Sequence, residues 1–360
     1  GTVVNQETIG GTGPATLIGV SGPEGWIVDQ YARTAPYPVA FSYITALTRL
    51  IGGSNSDFAE FRDQGISGIE LAYLHGSSIY HTPADTPDRV NPGTLHQEGA
   101  NTLAFVRNLA NLERGGERDP GETVFFTLGR FLVVRYPVEG ALILALLAGL
   151  ALAVAGWRRR KAGAGSIRWG LAHTGIVVIL SPLLAAVAWT VLATERSTMG
   201  VGESYLYLVL GLAMTVGIAI VVGRLLRRRD EPDPVAVVAI WWVLALLTAA
   251  TAPGFSYLFG WPALAGGLVL LWRSWARGRA RPWEELAGFA LVVGVTLVLL
   301  VPAIDTFYQL VQPRPGNPDS QMLAIVVVPV VLIALVVELG RAFWARDAIR
   351  GDAGSPVPSR

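Results

Sequence analysis

Seven long apolar stretches, which begin at residue 138, limit what this chain can fold into more than any other feature of its sequence. They cover residues 138–157, 170–193, 204–223, 234–251, 255–272, 286–307 and 322–340. Each stretch is long enough to cross about 30 Å of hydrocarbon as a helix. Only residues 252–254 separate the fourth stretch from the fifth, so these two form either a tight helical hairpin or a re-entrant pair. The pattern predicts an all-α polytopic transmembrane domain of about seven helices over residues 138–345.

The composition is typical of a membrane protein and disfavours several functions. Hydrophobic residues make up 52% of the chain and charged residues 15%, which is too apolar for a soluble domain of 360 residues. The net charge is +1 and the basic residues form no continuous stripe, so we expect a lipid bilayer as a partner and no nucleic acid. The chain has no Cys, so any metal site must use His and carboxylates. Lys161 is the only Lys among 28 basic residues, a bias typical of a GC-rich bacterial genome.

The distribution of Arg and Lys predicts how the helices are oriented. Seventeen of these residues lie in alternate loops and in the C-terminal tail, whereas the opposite loops hold only Arg196 and Arg314. Because cytoplasmic loops are enriched in Arg and Lys, we expect a multi-pass protein of the cell membrane. Its tail, residues 346–360, would be cytoplasmic and its N-terminal region extracytoplasmic. Export of that region requires an upstream signal, which the sequence from Gly1 onward does not show, so we expect a processed or truncated chain.

Ionisable residues are scarce inside the apolar stretches. Glu139, Asp305 and Glu338 lie near stretch ends, where we expect solvation at the membrane interface, and we expect His173 to be a helix-packing residue. This scarcity disfavours an ion-coupled transporter but leaves a receptor function open. Aromatic and basic residues alternate in residues 116–137, which predicts a linker and interfacial segment that seats the N-terminal region on the bilayer.

Residues 1–115 show short alternating strand and helix patterns with ordinary polarity. They predict an α/β unit with a mainly parallel sheet covered by helices on both faces. Thr94 and Gln97 have the spacing of a capping box, and the helix that follows has a predicted apolar face. That face consists of Leu95, Leu103, Val106, Leu109 and Leu112. Ligands of such sheets bind at the carboxyl ends of strands, where Glu7 and the loop from His75 to Asp85 lie.

The loop that contains Tyr80, His81 and Asp85 carries the most specific chemical signal. A His in an ordered loop, with a phenol beside it and a carboxylate four residues on, suits a zinc ligand with an electrophilic partner. Taken alone, the pattern is also that of an ordinary surface loop, in which most His residues are neither ligands nor bases.

Several motifs in the same order resemble the zinc-dependent exopeptidases of metallopeptidase family twenty-eight, in particular their membrane-anchored branch. The resemblance covers Val3 to Leu112 and is carried by residues 5–10, 56–58, 65–68, 80–86 and 97–109. It continues into residues 124–130 and 257–262. The resemblance implies that residues 1–115 are the C-terminal part of a zinc-exopeptidase-like domain that lies outside the cytoplasm. Its implied activity is aminopeptidase-type hydrolysis of a peptide substrate, with two zinc ions as cofactors.

The resemblance also implies roles for individual residues. Glu7 matches the acidic ligand of the family motif Asn-x-(Asp/Glu)-x-x-Gly, and His81 matches the last ligand of the paired zinc site, each on a different zinc. Tyr80 matches the phenol that donates a hydrogen bond to the oxyanion. The residues implied to be adjacent to the site or positional are Ser56, Asp57 and Asp85. His75 and His96 match no family position, and we expect them to be solvated.

The chain also departs from the family pattern. In the family, the His-x-Asp and Glu-Glu motifs, which supply the bridging ligand, the general base and another ligand, lie upstream of the strand with which this sequence begins. Two ligands cannot hold two zinc ions, so we expect this polypeptide alone to be inactive. The alternative is a non-catalytic membrane ectodomain of the same fold that serves in binding or complex assembly, as in nicastrin-like proteins. Retention of Glu7 and His81 favours the enzyme.

Overall fold

The computed structural model describes residues 1–50, 56–76, 79–80, 82–112, 121–129, 131–161, 167–199, 205–226, 233–276, 281–310 and 321–343. The described residues of the N-terminal unit form three strands and four helices. The strands are β1 (Thr2–Glu7), β2 (Thr16–Ser21) and β3 (Ser67–Ala72). The helices are α1 (Glu24–Thr34), α2 (Ser42–Leu50), α3 (Asp57–Asp63) and α4 (Pro92–Asn111), and a 3-10 turn at Pro87–Arg89 precedes α4.

The three strands form a mixed sheet in the order β1-β3-β2. Strand β1 runs parallel to β3, with Glu7 opposite Ala72, whereas β2 runs antiparallel to β3. Among the described strands, the prediction of a mainly parallel sheet is therefore wrong. The reason is that apolar periodicity marks a strand but does not encode its direction. The parallel pair is the one that places the ends of β1 and β3 at the same edge.

Helices cover both faces of the sheet, as predicted. Leu17, Ile69 and Leu71 face α1 and α4, where Tyr31 and Phe105 pack edge to face with ring centroids 6.0 Å apart. On the opposite face Phe58 of α3 is buried, and a Cβ at Gly19 or Gly68 would come within 3.1 Å of its ring. The two glycines leave the space that this ring occupies, so β2 and β3 are fixed beneath α3.

Helix α4 buries a different face from the one predicted. Its buried residues are Thr94, Glu98, Asn101 and Phe105, whereas Leu95 and Leu103 are 55% and 50% exposed. The polar face turns inward because it binds loop backbone. Asn101 accepts a hydrogen bond from Tyr37 N at 3.0 Å and donates one to Tyr37 O at 3.0 Å. These bonds satisfy buried polar groups that would otherwise oppose burial.

The predicted capping box of α4 is also wrong. Asn91 is the N-cap, and its side chain accepts hydrogen bonds from Gly93 N and Thr94 N. Thr94 instead donates to Gly13 O at 2.7 Å, and Gln97 accepts from Ala15 N at 3.3 Å. Both side chains therefore tie α4 to the loop that follows β1.

Residues 123–137 form a β-hairpin, and the position of this segment at the bilayer interface stays a prediction. Strands β4 (Thr123–Leu128) and β5 (Leu132–Pro137) pair antiparallel around Gly129, whose φ of +65° favours glycine. Phe125 is buried in the core of the N-terminal unit. Its neighbour Phe126 stacks on Tyr257 of the helical part, with ring centroids 4.6 Å apart. The hairpin thus packs between the two parts of the chain.

Helices occupy all seven predicted apolar positions. They are α5 (Val138–Lys161), α6 (Ile167–Met199), α7 (Tyr205–Leu225), α8 (Pro234–Thr251), α9 (Ser256–Ala276), α10 (Pro282–Leu310) and α11 (Gln321–Phe343). Among the described residues, five helices are long and apolar enough to cross a membrane, on α5, α6, α8, α9 and α10. The number of seven spans stays a prediction. Helices α8 and α9 pack together around a 3-10 turn at Pro253–Phe255, so this pair is a helical hairpin.

Glu338 of α11 is fully buried, so the prediction that it is solvated at the interface is wrong. Its Oε1 lies 2.5 Å from Nη1 of Arg341, and its Oε2 lies 3.7 Å from Nε2 of His173 on α6. A Cβ at Gly223 of α7 would come within 2.0 Å of the same Arg341 nitrogen. Since Gly223 has no side chain, the arginine can turn inward and pair with the buried carboxylate, as burial of a charge requires. Glu139 is exposed.

Candidate active site

The loops that follow β1 and β3 lie against each other at one edge of the sheet. Gly10 N donates a hydrogen bond to Asp85 Oδ1 at 2.5 Å, and Thr12 N donates to His75 O at 2.9 Å. A third bond joins Asn91 N to Gly11 O at 3.0 Å. The parallel pairing of β1 with β3 brings these loops together, so the strand ends that carry the candidate residues converge as expected.

Glycines allow the close approach of the two loops. A Cβ at Gly10 would lie 2.6 Å from Thr86 O, and a Cβ at Gly11 would lie 2.3 Å from His75 O. Real Cβ atoms do not come so near to a backbone oxygen, so any larger residue would push the loops apart. The Gly10-Gly11 pair therefore fixes the distance between the loops.

Glu7 ends β1 with its side chain half-buried at this edge. Its Oε1 accepts a hydrogen bond from Asn5 Nδ2 at 2.9 Å, which orients the carboxylate. Asn5 and Glu7 lie two residues apart on the strand, and their side chains therefore project from the same face. A carboxylate held in this way at a strand end is chemically suited to bind a cation.

Glu98 of α4 is a second carboxyl group beside Glu7, and the sequence interpretation missed it. It is 1% exposed, and its Oε1 has no hydrogen-bond partner among the described residues. Burial, and then the charge of Glu7, raise the pKa of Glu98 to about 7. The pKa of Tyr73 is raised by burial and by the charges of Glu98 and Asp85. The spacing of α4 could have indicated Glu98 only if its polar face had been recognised as the buried one.

A series of tight turns shapes the loop that contains Tyr80. Thr82 N donates to Ile79 O at 3.0 Å, and Asp85 N donates to Thr82 O at 3.0 Å. Tyr80 is half-buried, whereas His81 lies outside the described residues. The turns bring Asp85 to the Gly10 amide, the contact that a loop-fixing carboxylate would make.

Ser56 and Asp57 begin α3 on the opposite side of β3. Ser56 occupies the N-cap position and donates a hydrogen bond to the buried Glu70 of β3, while Asp57 is exposed in the first turn. Glu70 pairs in register with Asn5 of β1, the residue that orients Glu7. Ser56 therefore fixes the start of α3 next to the strand pair that carries the candidate ligand.

The described residues only partly fit a metal centre. Glu7 and Glu98 are hard oxygen donors, and the unpartnered Oε1 of the buried Glu98 is an atom that a cation would satisfy. No group of three or more His, Cys, Asp or Glu that could hold a metal occurs among the residues that the structure describes. Carboxylates occur among zinc ligands, but these residues do not form a closed ligand set.

His75 is not solvated, which corrects the prediction for this residue. Its Nε2 lies 3.0 Å from Oδ2 of Asp305 near the end of α10, so the two side chains are paired, while the interfacial position of Asp305 stays a prediction. The two residues are 230 positions apart, and no local pattern could have indicated the contact. His96 is exposed, as expected.

The fold and the loop edge define the class of protein: an α/β unit with candidate ligands at strand ends, attached to apolar helices. Residues 1–106 match the family model of Peptidase family M28. The N-terminal part of the chain is therefore similar to Peptidase family M28, and over part of its length the chain is similar to endoplasmic reticulum metallopeptidases.

Three relatives show how far this similarity extends. Endoplasmic reticulum metallopeptidase 1 of Mus musculus is 36% identical over 142 residues, which cover 37% of this chain and 16% of the relative. Putative endoplasmic reticulum metallopeptidase 1-A of Caenorhabditis elegans is 30% identical over 181 residues, which cover 47% of this chain and 20% of the relative. Putative endoplasmic reticulum metallopeptidase 1 of Schizosaccharomyces pombe is 29% identical over 150 residues, which cover 41% of this chain and 18% of the relative.

The chain thus spans a fifth or less of the length of these relatives. All three are eukaryotic proteins, which is at odds with the bacterial source that the arginine-rich composition suggested. No solved structure matches the chain.

Proposed function

We propose that this chain is part of a membrane-bound zinc metallopeptidase that removes residues from the N-terminus of peptides. The observation that carries the proposal is the edge where Glu7 and the Tyr80 loop converge, inside a segment that matches Peptidase family M28. The names of the relatives support a membrane peptidase, and the aminopeptidase specificity is our extension of that class.

Each residue at the edge has a proposed role. Glu7 and His81 would each hold one zinc ion, and Asp85 would keep their loops together through Gly10. Bound zinc supplies a Lewis acid and an activated water at neutral pH. Tyr80 would donate its phenolic hydrogen to the oxyanion that forms at the scissile carbonyl, a contact that is stronger in the transition state than with the substrate. Ser56 and Asp57 would act only by positioning α3.

The ligands in this chain do not complete a two-zinc site. We propose that the remaining ligands and the general base come from a part of the protein outside this sequence, and that the chain alone does not hydrolyse peptides. A closed zinc site needs about four donors for each ion, whereas the proposed set here offers one for each.

We further propose that residues 1–115 lie outside the cytoplasm, on helices that cross the membrane seven times. Exposed Trp157, Trp275 and Trp283 lie at the ends of α5, α9 and α10 that adjoin the Arg-rich loops. Lys161 lies over the Trp157 ring, 3.9 Å from its centroid. Exposed Trp residues beside basic residues at helix ends are typical of a membrane interface. The helix ends that adjoin Arg-rich loops would be the cytoplasmic ends.

The proposed function is tested by measuring zinc content and amino acid release from unblocked peptides with the full-length protein. His81→Ala should lower the rate at least about a hundredfold and reduce bound zinc, because a ligand is lost. His96→Ala is the matched control, since His96 is an exposed His of the same unit, and it should leave both quantities unchanged. A folded full-length protein that binds no zinc and cleaves no peptide would instead support the non-catalytic ectodomain.

A further inference from the structure

We infer that the last turns of α10 position the loops of the candidate site through the pair His75–Asp305, so that the helical part has a role in the site besides anchoring it. The consequence for catalysis rests on the proposed function, whereas the positioning of the loops does not. His75 is a positioning residue here, because it acts through the loops rather than on substrate.

The first step is the contact between the two parts of the chain. His75 Nε2 lies 3.0 Å from Asp305 Oδ2, with the two side chains only 21% and 33% exposed. The other oxygen of Asp305 accepts a hydrogen bond from Gln309 Nε2 at 3.4 Å. Both carboxylate oxygens are therefore engaged, which restricts the rotamers of Asp305 and fixes the position of the His75 ring.

The second step is that His75 supports both loops of the site. Its carbonyl accepts the hydrogen bond from Thr12 N in the loop after Glu7. A Cβ at Gly13, where φ is +99°, would lie 2.6 Å from Cγ of the ring, so the ring packs flush on that loop. On the other side, Ile79 N donates a hydrogen bond to Gly76 O at 3.1 Å. Gly76 directly follows His75, and Ile79 directly precedes Tyr80. A shift of His75 would therefore displace the Glu7 loop and the Tyr80 loop together.

The third step is that the end of α10 is itself held against the N-terminal unit. Tyr43 of α2 donates its hydroxyl hydrogen to Thr306 Oγ1 at 2.7 Å, and its oxygen lies 3.3 Å from Pro302 O. The Tyr43 ring also stacks on Phe307, with centroids 6.0 Å apart. Ser42 Oγ donates to Gly254 O at 2.9 Å. Residues 302–309 thus form a fixed platform, and His75 docks on it one residue from the Tyr43 contact.

In this arrangement Asp305 at the end of α10 and His75 in a loop of the site hold each other in position. Removal of either group frees the loops without removing any proposed zinc ligand. Small displacements of reacting groups lower turnover strongly, and a shift of 1 Å can cost about a hundredfold. The expected effect is therefore on kcat rather than on KM.

Hydrogen exchange of the full-length protein in lipid nanodiscs tests the positioning directly. Asp305→Ala and His75→Ala should each speed amide exchange about tenfold in residues 8–13 and 82–91, where the linking bonds lie. The double exchange His75→Asp with Asp305→His should restore slow exchange, because it rebuilds the pair with its partners reversed. Glu139→Ala is the control, since Glu139 is an exposed carboxylate at the start of α5.

The same variants give a catalytic readout. Asp305→Ala should lower kcat about tenfold with KM within about twofold, and the reversed pair should recover most of the loss. Asp305→Asn replaces Asp305→Ala in both measurements if the alanine variant does not fold. Unchanged exchange in both single variants, or a reversed pair that exchanges as fast as they do, would overturn the inference. Faster exchange in the single variants of a protein whose wild type cleaves no peptide would leave the positioning standing and remove only the proposed function.

Discussion

At the scale of single residues, the carboxyl group of Glu98 has the least ordinary environment in the N-terminal unit. It is buried, one of its oxygens has no hydrogen-bond partner among the described residues, and it lies beside Glu7. Burial raises its pKa from an ordinary 4.5 to about 7. A carboxyl group that titrates near neutral pH couples the stability of this edge to pH.

The sign of that coupling follows from proton binding. Between pH 4.5 and 7 the folded protein holds the Glu98 proton while the unfolded chain has released it, so stability falls as pH rises and levels off above pH 7. The full difference is at most about 3 kcal/mol. Glu98→Gln removes the titration, so the variant should gain stability over wild type at pH 8 but not at pH 4.

The measurement is thermal unfolding across this pH range, with chelator present because a cation near Glu7 would hold Glu98 ionised. Glu60→Gln, at an exposed carboxylate of α3, is the matched control and should track the wild type at every pH. A constant Tm difference between Glu98→Gln and wild type from pH 4 to pH 8 would contradict the assigned environment.

At the scale of elements, α4 shows what a sequence pattern can and cannot predict. The helix itself follows from its composition, but its orientation does not, because leucines and polar residues both recur at helical spacing. The side chains of Thr94, Gln97 and Asn101 form hydrogen bonds with the loop backbone of Gly13, Ala15 and Tyr37, and these bonds decide which face turns inward. These partners are distant in sequence, so the sequence pattern favoured the apolar stripe as the buried face, and that prediction is wrong.

The buried polar face of α4 makes a prediction about stability. Asn101→Ala should destabilise the protein by about 1–3 kcal/mol, because it leaves the Tyr37 amide without its acceptor and removes one of the two hydrogen bonds to Tyr37 O. Leu103→Ser on the exposed face should change stability by no more than about 0.5 kcal/mol. Chemical denaturation of both variants in the same detergent gives the comparison. The opposite order would show that the leucine face is the buried one.

At the scale of the whole molecule, the sequence predicted the two parts of the chain and the place of every helix in the second. It also predicted that Glu7 and the Tyr80 loop meet at one edge, because parallel strands place their ends together. It did not predict the contacts between the parts. The pairs His75–Asp305 and Tyr43–Thr306 form only once helices and loops are assembled.

These contacts change how scarce charges in the apolar helices are interpreted. Asp305 and Glu338 were expected to be solvated because each lies near the end of a stretch. Position along a helix gives depth in the membrane, but whether a side chain faces lipid, water or protein depends on its neighbours. Both carboxylates pair with a protein side chain, Asp305 with His75 and Glu338 with Arg341.

The orientation of the whole molecule is open to a direct test, because the chain has no Cys of its own. Single cysteines introduced as Glu139→Cys and Lys161→Cys would mark the two ends of α5, and both sites are exposed. With the N-terminal unit outside the cytoplasm, a membrane-impermeant maleimide should label position 139 from the outer or luminal side. It should reach position 161 only after the membrane is opened, since that end carries the Arg-rich loops.

The same labelling tests the number of crossings. Seven crossings place residue 139 and the C-terminal tail on opposite sides, whereas an even number would place them together. Asp352→Cys in the tail should therefore behave like position 161 and not like position 139. Labelling of all three positions from the outer side would contradict both the orientation and the count.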